Sequence, residues 1–97
     1  MDLAAFRASV AADASPAGLD QALQALWHQG RGDWQRAHEL AQEAGGEAGA
    51  WVHAHLHRVE GDQGNAAQWY RRAGRSPSQL PLDAEWDEIA AALLARG

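Results

Sequence analysis

Five histidines stand in a chain of 97 residues. Three of them crowd into the run Trp51-Val52-His53-Ala54-His55-Leu56-His57-Arg58. An α-helix turns about 100° per residue, so His53 and His57 share one face. Glu60 follows one turn later. Two imidazoles and a carboxylate on adjacent turns can converge on a divalent cation. His28 and His38 precede this run on two further helical segments, so His28, His38, His53 and His57 are the candidate metal ligands. The run lacks the glutamate of His-Glu-x-x-His, which would supply a general base. The competing reading is structural, with imidazoles that bond carbonyls or pack beneath tryptophans.

A second group is Trp69-Tyr70-Arg71-Arg72-Ala73-Gly74-Arg75. Cations near a helix C-terminus are favoured by the helix dipole. Guanidinium groups also clamp carboxylates and phosphates, and Tyr70, Arg71 and Arg72 are candidate ligand contacts on that ground. Neither Gly30-Arg31-Gly32 nor Gly61-Asp62-Gln63-Gly64 follows a strand or carries the Lys-Ser/Thr of a phosphate loop. Ser9 and Ser15 lie far from any histidine in sequence, so no serine triad is expected. No catalytic residue is assigned. Asp83, Glu85, Asp87 and Glu88 read as an acidic opening turn of a helix, with no chemical role.

The chain suffices for a single domain, residues 1–97. Apolar residues make up 46% of it, many of them alanine, which adds little core volume. Bulk must come from Trp27, Trp34, Trp51, Trp69 and Trp86, each able to remove roughly 200 Å² from water. The net charge is −5 with no basic stripe, so nucleic acid is not an expected partner. Every cation is arginine, the coding bias of a GC-rich bacterial genome. Cysteine is absent, which removes disulfides and thiolate chemistry. Asp2 and Arg7 interrupt the apolar N-terminus, so neither a leader nor a membrane span is expected, and a cytoplasmic location follows.

Apolar spacing predicts helices throughout and strands nowhere. Leu3, Phe6 and Val10 mark a first helix over about 2–12. Ser15-Pro16 reads as the start of a second, with Leu19, Ala22, Leu23, Leu26 and Trp27 on one face. Asp33 opens a third that carries Trp34, Ala37, Leu40, Ala41 and Ala44 to Gly45-Gly46. A fourth spans about 48–60, with Val52, Leu56 and Val59 on one side. Asn65 is the expected cap of a fifth, running through Arg72. After a Pro/Ser-rich connector, a sixth begins at Asp83 and shows Trp86, Ile89, Ala90, Leu93 and Leu94.

Sliding the chain by 29 residues superposes Gly32, Asp33, Ala37, Leu40 and Ala44 on Gly61, Asp62, Ala66, Trp69 and Ala73. Leu23, Trp27 and His28 then meet Val52, Leu56 and His57. This pattern, from about Gly18 to Pro77, resembles the tetratricopeptide repeat. There a Gly-Asp turn opens a second helix of spaced small and bulky residues. The period is shorter than that family's roughly 34 residues, the first helices lack its internal glycine, and Gly45-Gly46 replaces a proline.

The resemblance implies an all-α fold of two stacked helix hairpins, about 18–45 and 47–75, flanked by N-terminal and C-terminal capping helices. It also implies a concave surface lined by Trp51, His55 and Arg58 beside Leu26 and Gln29. The expected function is a small interaction module for a peptide, a protein partner or its own copy, with the Trp86/Ile89/Leu93 stripe as a homodimer surface. The alternative is a small metal- or anion-dependent enzyme or sensor built on the histidines and the Arg71/Arg72 pair. The only cofactor in view is a divalent metal.

Overall fold

Four aspartates decide where helices begin. The side chains of Asp2, Asp20, Asp33 and Asp62 accept hydrogen bonds from the backbone N–H of Ala5, Leu23, Arg36 and Asn65. Each such cap stabilises its helix by about 1 kcal/mol. The computed structural model describes residues 1–96. Its elements are α1 (Leu3–Ala11), α2 (Gln21–Gly30), α3 (Trp34–Ala44), α4 (Gly46–Val59), α5 (Gln63–Arg72) and α6 (Leu82–Arg96). No strand occurs among the described residues.

Two helix starts differ from the sequence reading. Ser15-Pro16 lies in a loop, because Gly18 takes a left-handed φ of 82° and breaks the helical path. The helix forms only where the Asp20 carboxylate can reach ahead to the Leu23 N–H, at 2.9 Å. Likewise Asn65 lies inside α5, and Asp62 is the cap, at 3.0 Å from the Asn65 N–H.

The two Gly-Asp turns are superposable in their bonding. The Asp33 N–H donates to the His28 carbonyl at 2.9 Å, and the Asp62 N–H to the His57 carbonyl at 2.8 Å. Gly32 and Gly61 sit at φ 81° and 84°, a conformation glycine adopts at little cost. Ala37 and Ala66, the next matched pair, are both buried. Helix α2 therefore pairs with α3, and α4 with α5. Helix α3 also packs on α4, α2 touches α4, and α6 lies against both α2 and α4. Helix α1 rests on α2 and α6.

Backbones come close where side chains are small. A Cβ on Gly49 would lie 2.9 Å from the Ala41 carbonyl oxygen, so α3 and α4 touch there along their main chains. A Cβ on Gly30 would lie 3.0 Å from both the Trp86 ring and Val10. Trp86 uses this space, stacking on Phe6 at 5.4 Å and donating its indole N–H to the Leu26 carbonyl at 2.8 Å. Ile89 and Leu93 of the same stripe are buried within the chain, so the face expected to pair two copies is spent on α2 and α4. Trp27 and Trp51 belong to the core, while Trp34, Trp69 and Trp86 border it.

The matched alanines generate a stability prediction. Ala37→Leu and Ala66→Leu force bulk between packed helices, and each should cost about 1–3 kcal/mol in urea unfolding. Ala91→Leu, at an exposed site of α6, should stay within about 0.5 kcal/mol of the parent.

Candidate functional site

Helix α4 is buried from Gly49 to His57 without a break. A helix enclosed on every side is normally apolar all round. This one carries three imidazoles, and the helical turn sends them two ways. His53 and His57 lie on one face, and His55 lies on the opposite one with Arg58 a turn later. Two separate polar centres result.

The first centre lies between α3, α4 and α5. His53 Nε2 is 2.9 Å from His38 Nε2, so one ring donates and the other accepts. His57 Nδ1 is 2.6 Å from Glu60 Oε1; the carboxylate accepts, so Nε2 is the acceptor of the neutral ring. Aromatic faces hold the rings. His53 lies on Trp69 with centroids 3.6 Å apart and planes 11° apart. His38 lies on Trp34 at 4.8 Å, and the Trp34 indole N–H is fixed by the Leu56 carbonyl at 2.8 Å. One ring nitrogen from each of His38, His53 and His57 lies within 4.8 Å of the others. His53 Nδ1 is buried and has no hydrogen-bond partner. Such an orphan costs about 1–3 kcal/mol.

Burial pushes His53 down to about 4, and the neighbouring His38, His57 and Arg72 add to the shift. His38 is lowered by burial first and by His57 second. His53 is therefore a neutral imidazole at neutral pH, the form in which a ring nitrogen can act as a ligand.

The second centre lies between α4, α5 and α6. The Glu85 side chain is fully buried and accepts three hydrogen bonds. His55 Nδ1 and the Arg58 guanidinium each approach Oε1 at 2.7 Å, and the Tyr70 hydroxyl donates to Oε2. Burial alone would raise the Glu85 value, but these donors outweigh it and hold it below the ordinary carboxylate range. Burial and the adjacent carboxylate push the Tyr70 hydroxyl well above its usual value. For Arg58, burial acts against the charge and Glu85 more than offsets it. Arg58 also donates to the Leu80 carbonyl at 2.7 Å, tying the connector down.

The sequence-predicted residues divide accordingly. His38, His53 and His57 come together; His28 does not, and packs edge-on beside Trp27 at 5.1 Å. Trp51, His55 and Tyr70 are buried, and Arg58 nearly so, because α6 covers the face expected to be an open groove. Arg71 is exposed, and Arg72 lies over the Trp69 ring at 4.5 Å. Trp51 is capped instead by Arg75, at 3.3 Å. Glu85 is the residue sequence reasoning missed. Its signal was available: Glu85, Ile89 and Leu93 are spaced i, i+4, i+8, which puts the carboxylate on the apolar stripe of α6.

No family model, curated protein or solved structure matches this chain.

Two outcomes follow from the electrostatics. Glu85→Gln leaves the Arg58 charge enclosed without a counter-charge, and should cost about 3–5 kcal/mol by chemical unfolding, whereas exposed Glu88→Gln should change little. His53 has a folded value of about 4, below the roughly 6.5 of an unfolded histidine. Protons thus bind the unfolded chain first. Measured in chelator, stability should be constant above about pH 6.5 and fall towards pH 4, and His53→Phe should flatten that slope.

Proposed function

We propose that this chain is a tetratricopeptide-like pair of helix hairpins whose inner face is closed by its own last helix, and that it binds one divalent transition-metal cation between His38, His53 and His57. The carrying observation is the meeting of three ring nitrogens, one from each imidazole, within 4.8 Å of one another. Imidazole donors suit Zn²⁺, Ni²⁺, Cu²⁺ and Fe²⁺ rather than Mg²⁺ or Ca²⁺. Zn–N bonds of about 2.0–2.1 Å require nitrogens roughly 3.3 Å apart, a closure that small ring rotations supply. Glu60 on His57 is the outer carboxylate that fixes a ligating imidazole in orientation and raises its basicity. Three protein ligands leave one position open, and the half-exposed His38 beside the exposed Glu60 gives that position access to solvent.

The repeat resemblance draws support from the matched turns and from the packing of α2 through α5. The peptide groove it implies is the face under α6, which favours the cation reading over an interaction surface.

The test is metal analysis of protein purified without a polyhistidine tag, followed by zinc titration of the stripped chain. About one equivalent should bind and raise the melting temperature. His38→Ala and His57→Ala should abolish the shift, and Glu60→Gln should weaken affinity about 10- to 100-fold. No bound metal, together with no melting shift from zinc, nickel or ferrous iron, overturns the reading.

A further inference from the structure

A cleft of about 500 Å³ opens between α1, α2 and α6, on the far side of α4 from the three-histidine centre. Its walls include Val10, Val59, Leu82 and the Trp86 ring. This size and apolar lining suit a small organic molecule. The polar groups of the cleft are biased one way. His55 reaches it from within, although the residue is only 2% exposed. Its Nδ1 donates to the Glu85 carboxylate, so Nε2 is the acceptor of the neutral ring, and no protein group bonds it. Gln29 also lines the cleft, and its buried Oε1 has no hydrogen-bond partner. Asp83 and Asp87 stand at the mouth, and the single cation there, Arg7, is held by Asp87 at 3.4 Å. The cleft thus offers several acceptors, one carboxylate paired with Arg7, a second carboxylate (Asp83) with no cation beside it, and an aromatic surface.

We propose that this cleft binds a short aliphatic primary ammonium compound. An –NH3⁺ group has three donors and no acceptor. His55 Nε2, Gln29 Oε1 and an aspartate carboxylate take the three. The aliphatic chain lies along Val10, Val59 and Leu82, and the Trp86 ring adds attraction for the cation. A carboxylate ligand meets the lone pairs of His55 and Gln29 and the negative mouth, and is rejected. Gly30 is part of the device: without a Cβ it lets Trp86 sit against α2 and form the wall of the cleft.

The test is titration of the full chain with butylammonium, followed by NMR at the Trp86 indole N–H and the His55 ring. Saturable shifts at both are expected. Butyrate, 1-butanol and tetramethylammonium, which lack the charge or the N–H donors, should bind at least about tenfold more weakly, the loss of one good interaction. Gln29→Met and Asp83→Asn/Asp87→Asn should each weaken butylammonium by about tenfold with the melting temperature unchanged. Gln35→Ala, at an exposed site of α3 outside the cleft, should leave it untouched. Absence of a saturable shift, equal binding of butyrate or butanol, or variants that bind like the parent overturns the proposal.

Discussion

The constraint on which the structure depends is the enclosure of α4. Helices α2, α3, α5 and α6 all pack against it, so the residues from Gly49 to His57 are almost wholly withdrawn from water. A buried polar group without a partner is costly, and a buried charge more so. Every imidazole on this helix therefore dictates something about a neighbour. His53 requires a polar group from α3, which His38 supplies. His55 requires an acceptor from the opposite side, which Glu85 of α6 supplies. The packing partners of α4 are chosen by chemistry as much as by shape.

Glu85 shows how such a centre stays stable. One carboxylate satisfies an imidazole, a guanidinium and a phenol from α4 and α5. Three donors on one ionised group offset the desolvation that burial imposes, and the charges of Glu85 and Arg58 cancel. Replacing the whole set with well-packed apolar residues need not destabilise the protein, but removing any one member strands the rest. The set also fixes where α6 can sit, because only one register brings Glu85 between Arg58 and Tyr70. The first centre is different in kind. Two of its rings bond each other and aromatic faces hold them, and His53 Nδ1 is left without a partner, as Arg58 Nε is in the second centre.

Much of this was readable from residue spacing alone. The six helices, the Gly-Asp turns and the alanines at 37 and 66 follow from periodicity and turn chemistry. So does the shared face of His53 and His57. The start of α2 is not legible in the same way: Ser15-Pro16 carries a strong helix-start signal, yet Gly18 interrupts it before Asp20 can cap. By charge Glu85 groups with Asp83, Asp87 and Glu88. Only its spacing to Ile89 and Leu93 separates it from them, and charge obscured that spacing. The covering of Trp51, His55 and Arg58 by α6 was not readable, because it depends on where a long connector returns the chain.

The fate of His28 explains why the repeat makes one three-histidine centre and not two. His28 and His57 occupy matching places, and their carbonyls accept from the same turn N–H groups. What differs is the helix alongside. Helix α3 lies against α4 and brings His38 and Trp34 to His57 and His53. No helix stands to α2 as α3 stands to α4, since α1 packs on α2 and α6 instead. The position matching His53 is Gln24, which turns to the Leu19 carbonyl at 2.7 Å. The centre thus forms where α3 packs on α4. One helix pair supplies His38 and the other His53 and His57, and only their junction brings the three together.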